Sequence, residues 1–167
     1  MATKKKRKEK KMGIPAHHGR FPFVPHEKRP TVLKPEMRMP RLYGKGKNFI
    51  GTYTCASTDK IHVSTFTVAP GKFFDPPDIH VGDEVYYVTK GEAHLFNPET
   101  GQVLIAAKKD FVYIPAGTWH QVWNFSSEEV TFINWIAPQL WSEKKRGTAI
   151  SFDKKSAFYK SKPGGVE

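Results

Sequence analysis

From residue 48 onward the chain alternates apolar and polar residues over short runs, and each run is closed by a turn signal. Phe49 to Thr54 and Ile61 to Val68 are rich in β-branched and aromatic residues, with Asp59-Lys60 as the turn between them. Pro70-Gly71 ends the second run. Phe73-Phe74, Ile79 to Val81 and Glu84 to Val88 follow, and Lys90-Gly91 makes a tight turn. Ala93 to Phe96 is expected to pair with Val103 to Ala106 across Asn97-Pro98-Glu99-Thr100-Gly101, a hairpin loop ending in glycine. Phe111 to Ile114, Trp119 to Phe125 and Val130 to Ile136 complete the set. No segment in this region repeats its apolar residues at helical spacing. The period therefore predicts an all-β fold of about eight to ten short strands, a sandwich or a barrel.

The pattern changes on either side. Residues 12–47 carry prolines at 15, 22, 25, 30, 35 and 40, a spacing that forbids a regular helix and favours extended backbone. This arm still holds Phe21, Phe23, Val24, Val32, Leu33, Met37, Met39, Leu42 and Tyr43. That much apolar surface is expected to lie against the barrel or a neighbouring subunit. The organisation reads as a basic tail over 1–11, a proline-rich arm over 12–47, one folded domain over 48–138 and a basic extension over 139–167, in which one short helix or a cap over one end of the barrel is expected. At 167 residues with 38% hydrophobic content the chain supports a single core.

Charge sharpens this division. The net charge is +11, but residues 1–11 carry +6, 12–47 another +6 and 139–167 a further +4, which leaves 48–138 at −5. The body is acidic and the arms are basic. A nucleic-acid-binding domain is expected to have a basic folded face with stacking aromatics, so that class is set aside despite the tails. No apolar run approaches the ~20 residues of a bilayer span, and no secretory h-region opens the chain, so a cytoplasmic protein without a membrane partner is expected. The lone Cys55 has no Cys partner for a disulfide or zinc site and reads as a small strand residue.

The acidic body concentrates its chemistry in Asp78-Ile79-His80-Val81-Gly82-Asp83-Glu84. On an unbulged strand, Asp78, His80 and Glu84 share a face, and His120 supplies a fourth candidate from Pro115-Ala116-Gly117-Thr118-Trp119-His120. Two carboxylates and two imidazoles inside a barrel are costly as unpaired charges, and one divalent cation offsets that cost; oxygen donors with imidazole suit Mn(II) and Fe(II), with Zn(II) and Ni(II) also usable. The metal-free alternative pairs Asp78 and Glu84 with histidines or lysines. Alternation turns Tyr86 and Val88 inward with Glu84, and Val122 and Asn124 inward with His120. Trp119, Gln121 and Trp123 then face away, which suggests burial under the arm or in a homodimer interface. Phe66, Phe73, Phe74, Phe132 and Trp135 are candidate walls, and Tyr53 and Tyr86 candidate proton donors. His17, His18 and His26 read as exposed loop histidines, and His94 as either a neighbour of the site or a surface residue.

Two stretches resemble a known family. Asp78-x-His80, Glu84 after three residues and Gly91 after six more resemble the first motif of the cupin superfamily; Pro115-x-Gly117, His120 after two and Asn124 after three resemble the second. The first motif usually opens His-x-His, whereas this chain has Asp78, and glycine usually stands where this chain has Lys109. The resemblance implies a cupin-type antiparallel β-barrel, or jelly roll, with little helix. It also implies a metal at Asp78, His80, Glu84 and His120, or at the last three alone if Asp78 is too short.

Four protein ligands leave room for a small partly apolar or aromatic enol, phenol or keto-type substrate. Asp78, Glu84 and Tyr86 are the candidate catalytic residues. The first expectation is a dioxygenase-type oxidoreductase. The alternatives are a non-redox Lewis-acid isomerase, decarboxylase or lyase acting on a hydroxy or keto acid, and a cupin that binds a small molecule without turnover.

Overall fold

The computed structural model describes residues 29–43, 47–58, 60–75, 77–80, 82–137, 141–142 and 147–148. The strands are β1 (Met39–Tyr43), β2 (Ile50–Ser57), β3 (His62–Val68), β4 (Asp83–Lys90), β5 (Glu92–Phe96), β6 (Val103–Ala107), β7 (Phe111–Ile114), β8 (Gln121–Trp123), β9 (Val130–Ala137), β10 (Trp141–Ser142) and β11 (Gly147–Thr148). Among the described residues, helix is confined to a 3-10 turn at Pro35–Met37. No helix among them is long and apolar enough to cross a membrane.

The all-β expectation holds, but the closed barrel does not. The strands divide into a six-stranded sheet, ordered β1-β2-β3-β9-β4-β7, a three-stranded sheet, ordered β6-β5-β8, and the small β10-β11 pair. The physical reason lies in the segment between β3 and β4. Closing the barrel on that side would take a continuous ladder there, yet Pro70 and Pro77 offer no N–H. Among its described residues the segment contributes isolated bridges, Phe73 to Trp123 and Asp78 to His120.

The two larger sheets pack face to face over one core. Inward positions of β3, β4 and β9 alternate strictly with half-exposed ones. Phe66, Val68, Tyr86, Val88 and Phe132 from the larger sheet meet Ala93, Leu95, Ala106 and Val122 from the smaller in a single apolar cluster. Phe66 and Phe132 stack at 4.7 Å between ring centroids. Fully burying a phenylalanine contributes about 1.5–3 kcal/mol, so this layer outweighs any single polar contact around it.

Part of the proline-rich arm joins the fold. Met39–Tyr43 pairs with β2 as an edge strand, where Pro40 is tolerated because one edge of the strand needs no donor. The hairpin expected across residues 97–101 is present as β5-β6. Gly91 has φ +76°, and a Cβ there would sit 2.6 Å from the Glu129 carbonyl oxygen, so this turn accepts only glycine. Lys109 has φ +83° and is the one non-glycine with positive φ among the described residues. The strained turn thus falls where the resemblance expects glycine. The 1–11 tail, His17, His18 and His26 lie outside the described residues, as does most of the 139–167 extension. Its described part is the β10-β11 ladder.

Candidate metal centre

The sequence reading put Asp78, His80 and Glu84 on one strand face, but β4 starts only at Asp83. Glu84 is an inward residue of β4, followed inward by Tyr86 and Val88. Asp78 and His80 instead lie on the preceding irregular segment, which is tied to the far motif through its backbone. Asp78 N–H donates to the His120 carbonyl at 2.7 Å and His120 N–H to the Asp78 carbonyl at 2.9 Å. Gly117 N–H donates to the His80 carbonyl at 2.8 Å, and Ala116 N–H to Asp83 Oδ1 at 2.8 Å. The Pro115–Gly117 turn therefore fixes where both histidines start.

All four side chains are brought together and buried. Glu84 Oε2 lies 3.1 Å from His80 Nε2 and 3.0 Å from His120 Nε2, and Asp78 Oδ2 lies 3.5 Å from His80 Nε2. Asp78, His80 and His120 each offer a ligand atom within 4.8 Å of the other two. Asp78 reaches the cluster with one oxygen, while its Oδ1 accepts the Ile79 N–H at 2.9 Å.

The charge state of this cluster follows from its hydrogen bonds. His120 Nδ1 lies 3.0 Å from the Thr118 carbonyl, which can only accept, so Nδ1 carries a proton. In the neutral ring Nε2 then presents a lone pair, and it faces a carboxylate oxygen. Glu84 Oε2 faces both imidazole Nε2 atoms, and Glu84 and His120 are each under 5% exposed. Taking a carboxylate out of water costs several kcal/mol, whereas one hydrogen bond to a charged group returns about 1.5–3 kcal/mol. A positive charge has to complete the balance, either as protons on both imidazoles or as a divalent cation. Asp78, His80 and His120, whose ligand atoms lie within 4.8 Å of one another, fit the cation, with Glu84 Oε2 against both imidazoles.

Burial pushes the Glu84 carboxyl up, but the charge of His80 and the hydrogen bonds from His120 and His80 together hold it well below the ordinary carboxylate range. Asp78 goes the other way. Burial raises it, and the charges of His80 and His120 only partly oppose this. The two carboxylates of the cluster are thus shifted in opposite directions. Burial, and then the neighbouring carboxylates, raises the Tyr86 and Tyr43 phenols well above the ordinary tyrosine value, so both stay protonated.

A cavity of about 410 Å³, its open mouth included, lies against this cluster. Tyr43, Phe66, Phe74, Tyr86 and Ile136 make its apolar and aromatic side, and Thr52, His62, Ser64 and Asn134 its polar side. The polar side was missed from the sequence. The signal was present, since stepping by two from the wall candidates Phe66 and Phe132 reaches Ser64, His62 and Asn134.

Other candidates fall elsewhere. Tyr53 is 49% exposed and does not line the cavity. Phe73 stacks on Trp123 at 4.0 Å, and Trp123 Nε1 donates to Gln121 Oε1 at 2.9 Å, so this tryptophan is satisfied within the chain. Gln121, expected to face away, is buried and donates to the Phe74 carbonyl. Trp119 borders a second cavity beyond His120. Asn124 holds the Val68 and Glu128 carbonyls and acts in the turn, not at the cluster. His94 packs its ring against Phe125, away from the cluster.

Comparison with known proteins agrees with this architecture. The family model described as the cupin domain matches residues 64–136. No curated protein matches the sequence significantly. Among solved structures, the polyketide cyclase RemF from Streptomyces resistomycificus is similar at TM-score 0.57 and 16% identity, over 66% of this chain and 81% of that one. A predicted oxalate decarboxylase from Thermotoga maritima gives 0.55 and 18%, over 64% and 98%. An RmlC-like cupin from Shewanella frigidimarina gives 0.51 and 14%, over 66% and 92%. At these identities the likeness shows the fold alone. The described residues form an all-β, cupin-like fold with a cluster able to hold a divalent metal.

Proposed function

We propose that this cupin-fold chain is a metal-dependent enzyme of the non-redox Lewis-acid kind, which isomerises, decarboxylates or cleaves a small hydroxy or keto acid with a partly apolar or aromatic body. Asp78, His80, Glu84 and His120 would hold one divalent ion, Mn(II), Fe(II), Zn(II) or Ni(II). When bound, such an ion supplies an electrophile that stabilises negative charge on a substrate oxygen.

The observation that carries the reading is the set of proton-handling groups along one wall. Tyr86 and Tyr43 line the same cavity as Asp78, His80 and Glu84, and both phenols are held protonated. Glu84 stays an anion and serves as a ligand. Asp78, at the edge of the cluster with one oxygen on His80 and the other on the Ile79 N–H, can take a proton from substrate carbon or oxygen and return it. Tyr86, 1% exposed and edge-on to Phe66, can donate to a developing oxyanion while excluding water. Moving a proton between substrate atoms needs these parts, whereas activating dioxygen does not. The names cyclase and decarboxylase borne by two similar folds are of the same broad kind.

The test is a screen of small hydroxy and keto acids with the Zn(II)-loaded and Mn(II)-loaded protein, in air and under strict anaerobiosis. Equal turnover in both atmospheres, and activity with redox-inert Zn(II), are expected. Turnover that stops without dioxygen would return the assignment to the oxygen-dependent oxidation first expected from the sequence.

A further inference from the structure

Glu84 has two oxygens, and only one of them meets the histidines. Oε2 faces His80 Nε2 and His120 Nε2 at 3.1 and 3.0 Å. Oε1 instead accepts a hydrogen bond from Asn134 Nδ2 at 2.9 Å. The Asn134 amide is itself held from behind, because its Oδ1 accepts from Ser64 Oγ.

This orientation admits no flip. A carboxylate oxygen can only accept, so the amide nitrogen must face Glu84, and the hydroxyl is then placed to donate to the amide oxygen. Strand register builds the relay. Ser64 on β3 is the direct cross-strand partner of Asn134 on β9, and Asn134 is the partner of Tyr86, one inward position from Glu84 on β4. All three side chains are at most 6% exposed, among inward neighbours such as Phe66, Phe132 and Ile136. Burying an amide there costs about 1–3 kcal/mol unless it is bonded, so simple packing would favour an apolar residue.

We propose that Asn134, backed by Ser64, is a positioning residue that restricts Glu84 to one-oxygen ligation. The inference rests on the metal reading above and adds how the substrate positions stay open. Carboxylates bind divalent ions through one oxygen or two. A six-coordinate ion held by four single protein atoms keeps two positions, and a hydroxy or keto acid that chelates through two oxygens needs both. Were Oε1 released, Glu84 could turn both oxygens inward and occupy one of them. Asn134 keeps that position for the substrate.

The test uses Mn(II) alone on the full chain, comparing wild type with Asn134→Ala, Asn134→Leu and Ser64→Ala. Affinity is measured by equilibrium titration, and the number of metal-bound waters by water-proton relaxation. Asn134→Leu keeps the branched side-chain skeleton and removes the donor, and with Asn134→Ala it separates the hydrogen bond from packing. Both Asn134 variants are expected to bind Mn(II) about 10- to 100-fold more weakly and to hold one bound water fewer. Ser64→Ala should shift both readouts the same way by less. Folded Asn134 variants that keep the wild-type water count overturn the inference while leaving the metal reading intact. A wild-type chain that binds no Mn(II) overturns both. Should circular dichroism show the Asn134 variants unfolded, Ser64→Ala decides, and unchanged affinity and water count there overturn the proposal.

Discussion

Asp78 and His120 are bound to each other through their backbones, each donating its N–H to the other's carbonyl, at 2.7 and 2.9 Å. Forty-two positions apart in the chain, they form a single antiparallel bridge with no ladder on either side. Their side chains leave that bridge for the same cluster. The contact that positions Asp78 is thus independent of its carboxylate.

Asp78 can accordingly be changed without loss of the fold. Asp78→Asn keeps the bridge and the size but removes the anion, and should weaken Mn(II) binding by at least about 10-fold with little change in thermal stability. Asp78→His restores the commoner motif and should keep metal affinity while lowering turnover, if the aspartate carries a proton. Titration calorimetry and turnover measured on the same preparations check both. Equal turnover in Asp78→His would remove Asp78 from the proton path.

Glu84→Gln removes the carboxylate that meets both imidazoles at 3.0 and 3.1 Å. Metal affinity should fall by more than the about 10- to 100-fold typical of outer-shell changes. Metal-linked stabilisation should fall with it. At a free-ion concentration of about 100 times Kd, wild type should gain about 2.7 kcal/mol and lose it on adding chelator, whereas the variant should respond to neither. Thermal melts with and without chelator provide the comparison.

Two turn residues should respond with opposite signs. Gly91→Ala places a Cβ against the Glu129 carbonyl at a positive φ, and a loss of about 2–4 kcal/mol is expected. Lys109→Gly relieves a left-handed residue, worth about 1–2 kcal/mol, against about 0.5–1 kcal/mol of extra chain entropy. A net gain of up to about 1.5 kcal/mol follows. Urea unfolding of both variants measures the pair.

The buried phenols set an alkaline limit. Tyr43 and Tyr86 are raised above the ordinary tyrosine value of about 10, so above that pH the unfolded chain releases protons the folded chain keeps. Stability is fully present below that pH and is lost as pH rises, by up to about 1.4 kcal/mol per unit for Tyr86. Phenolate absorbance followed alongside unfolding should show these two tyrosines ionising only as the fold is lost.

Much of the fold was legible because its signals are local. The alternation in His62–Val68, Asp83–Lys90 and Val130–Ala137 marked the strands, and Gly91 and Gly101 marked turns that only glycine enters easily. Inward Tyr86, Val88, Val122 and Asn124 followed from the same period of two. The barrel did not follow, because the period says which face is buried and not whether a ladder closes. Prolines in the 69–77 stretch broke that ladder. The single-strand placement of Asp78, His80 and Glu84 failed for a related reason: the strand begins only at Asp83.

By itself the sequence determined that the chain is all-β, that its acidic body carries two carboxylates and two imidazoles at motif spacing, and that its charge lies in the arms. Each of these depends on residue type and on neighbours a few positions away. Only the tertiary structure decided which oxygen of Glu84 meets the histidines, that Asn134 and Ser64 hold the other, and that Trp123 is covered by Phe73 within the chain. The Glu84–Asn134 and Phe73–Trp123 contacts join residues 50 positions apart, Ser64–Asn134 joins residues 70 apart and Glu84–His120 residues 36 apart. Their geometry is set by register and by the packing of two sheets, which no local pattern encodes.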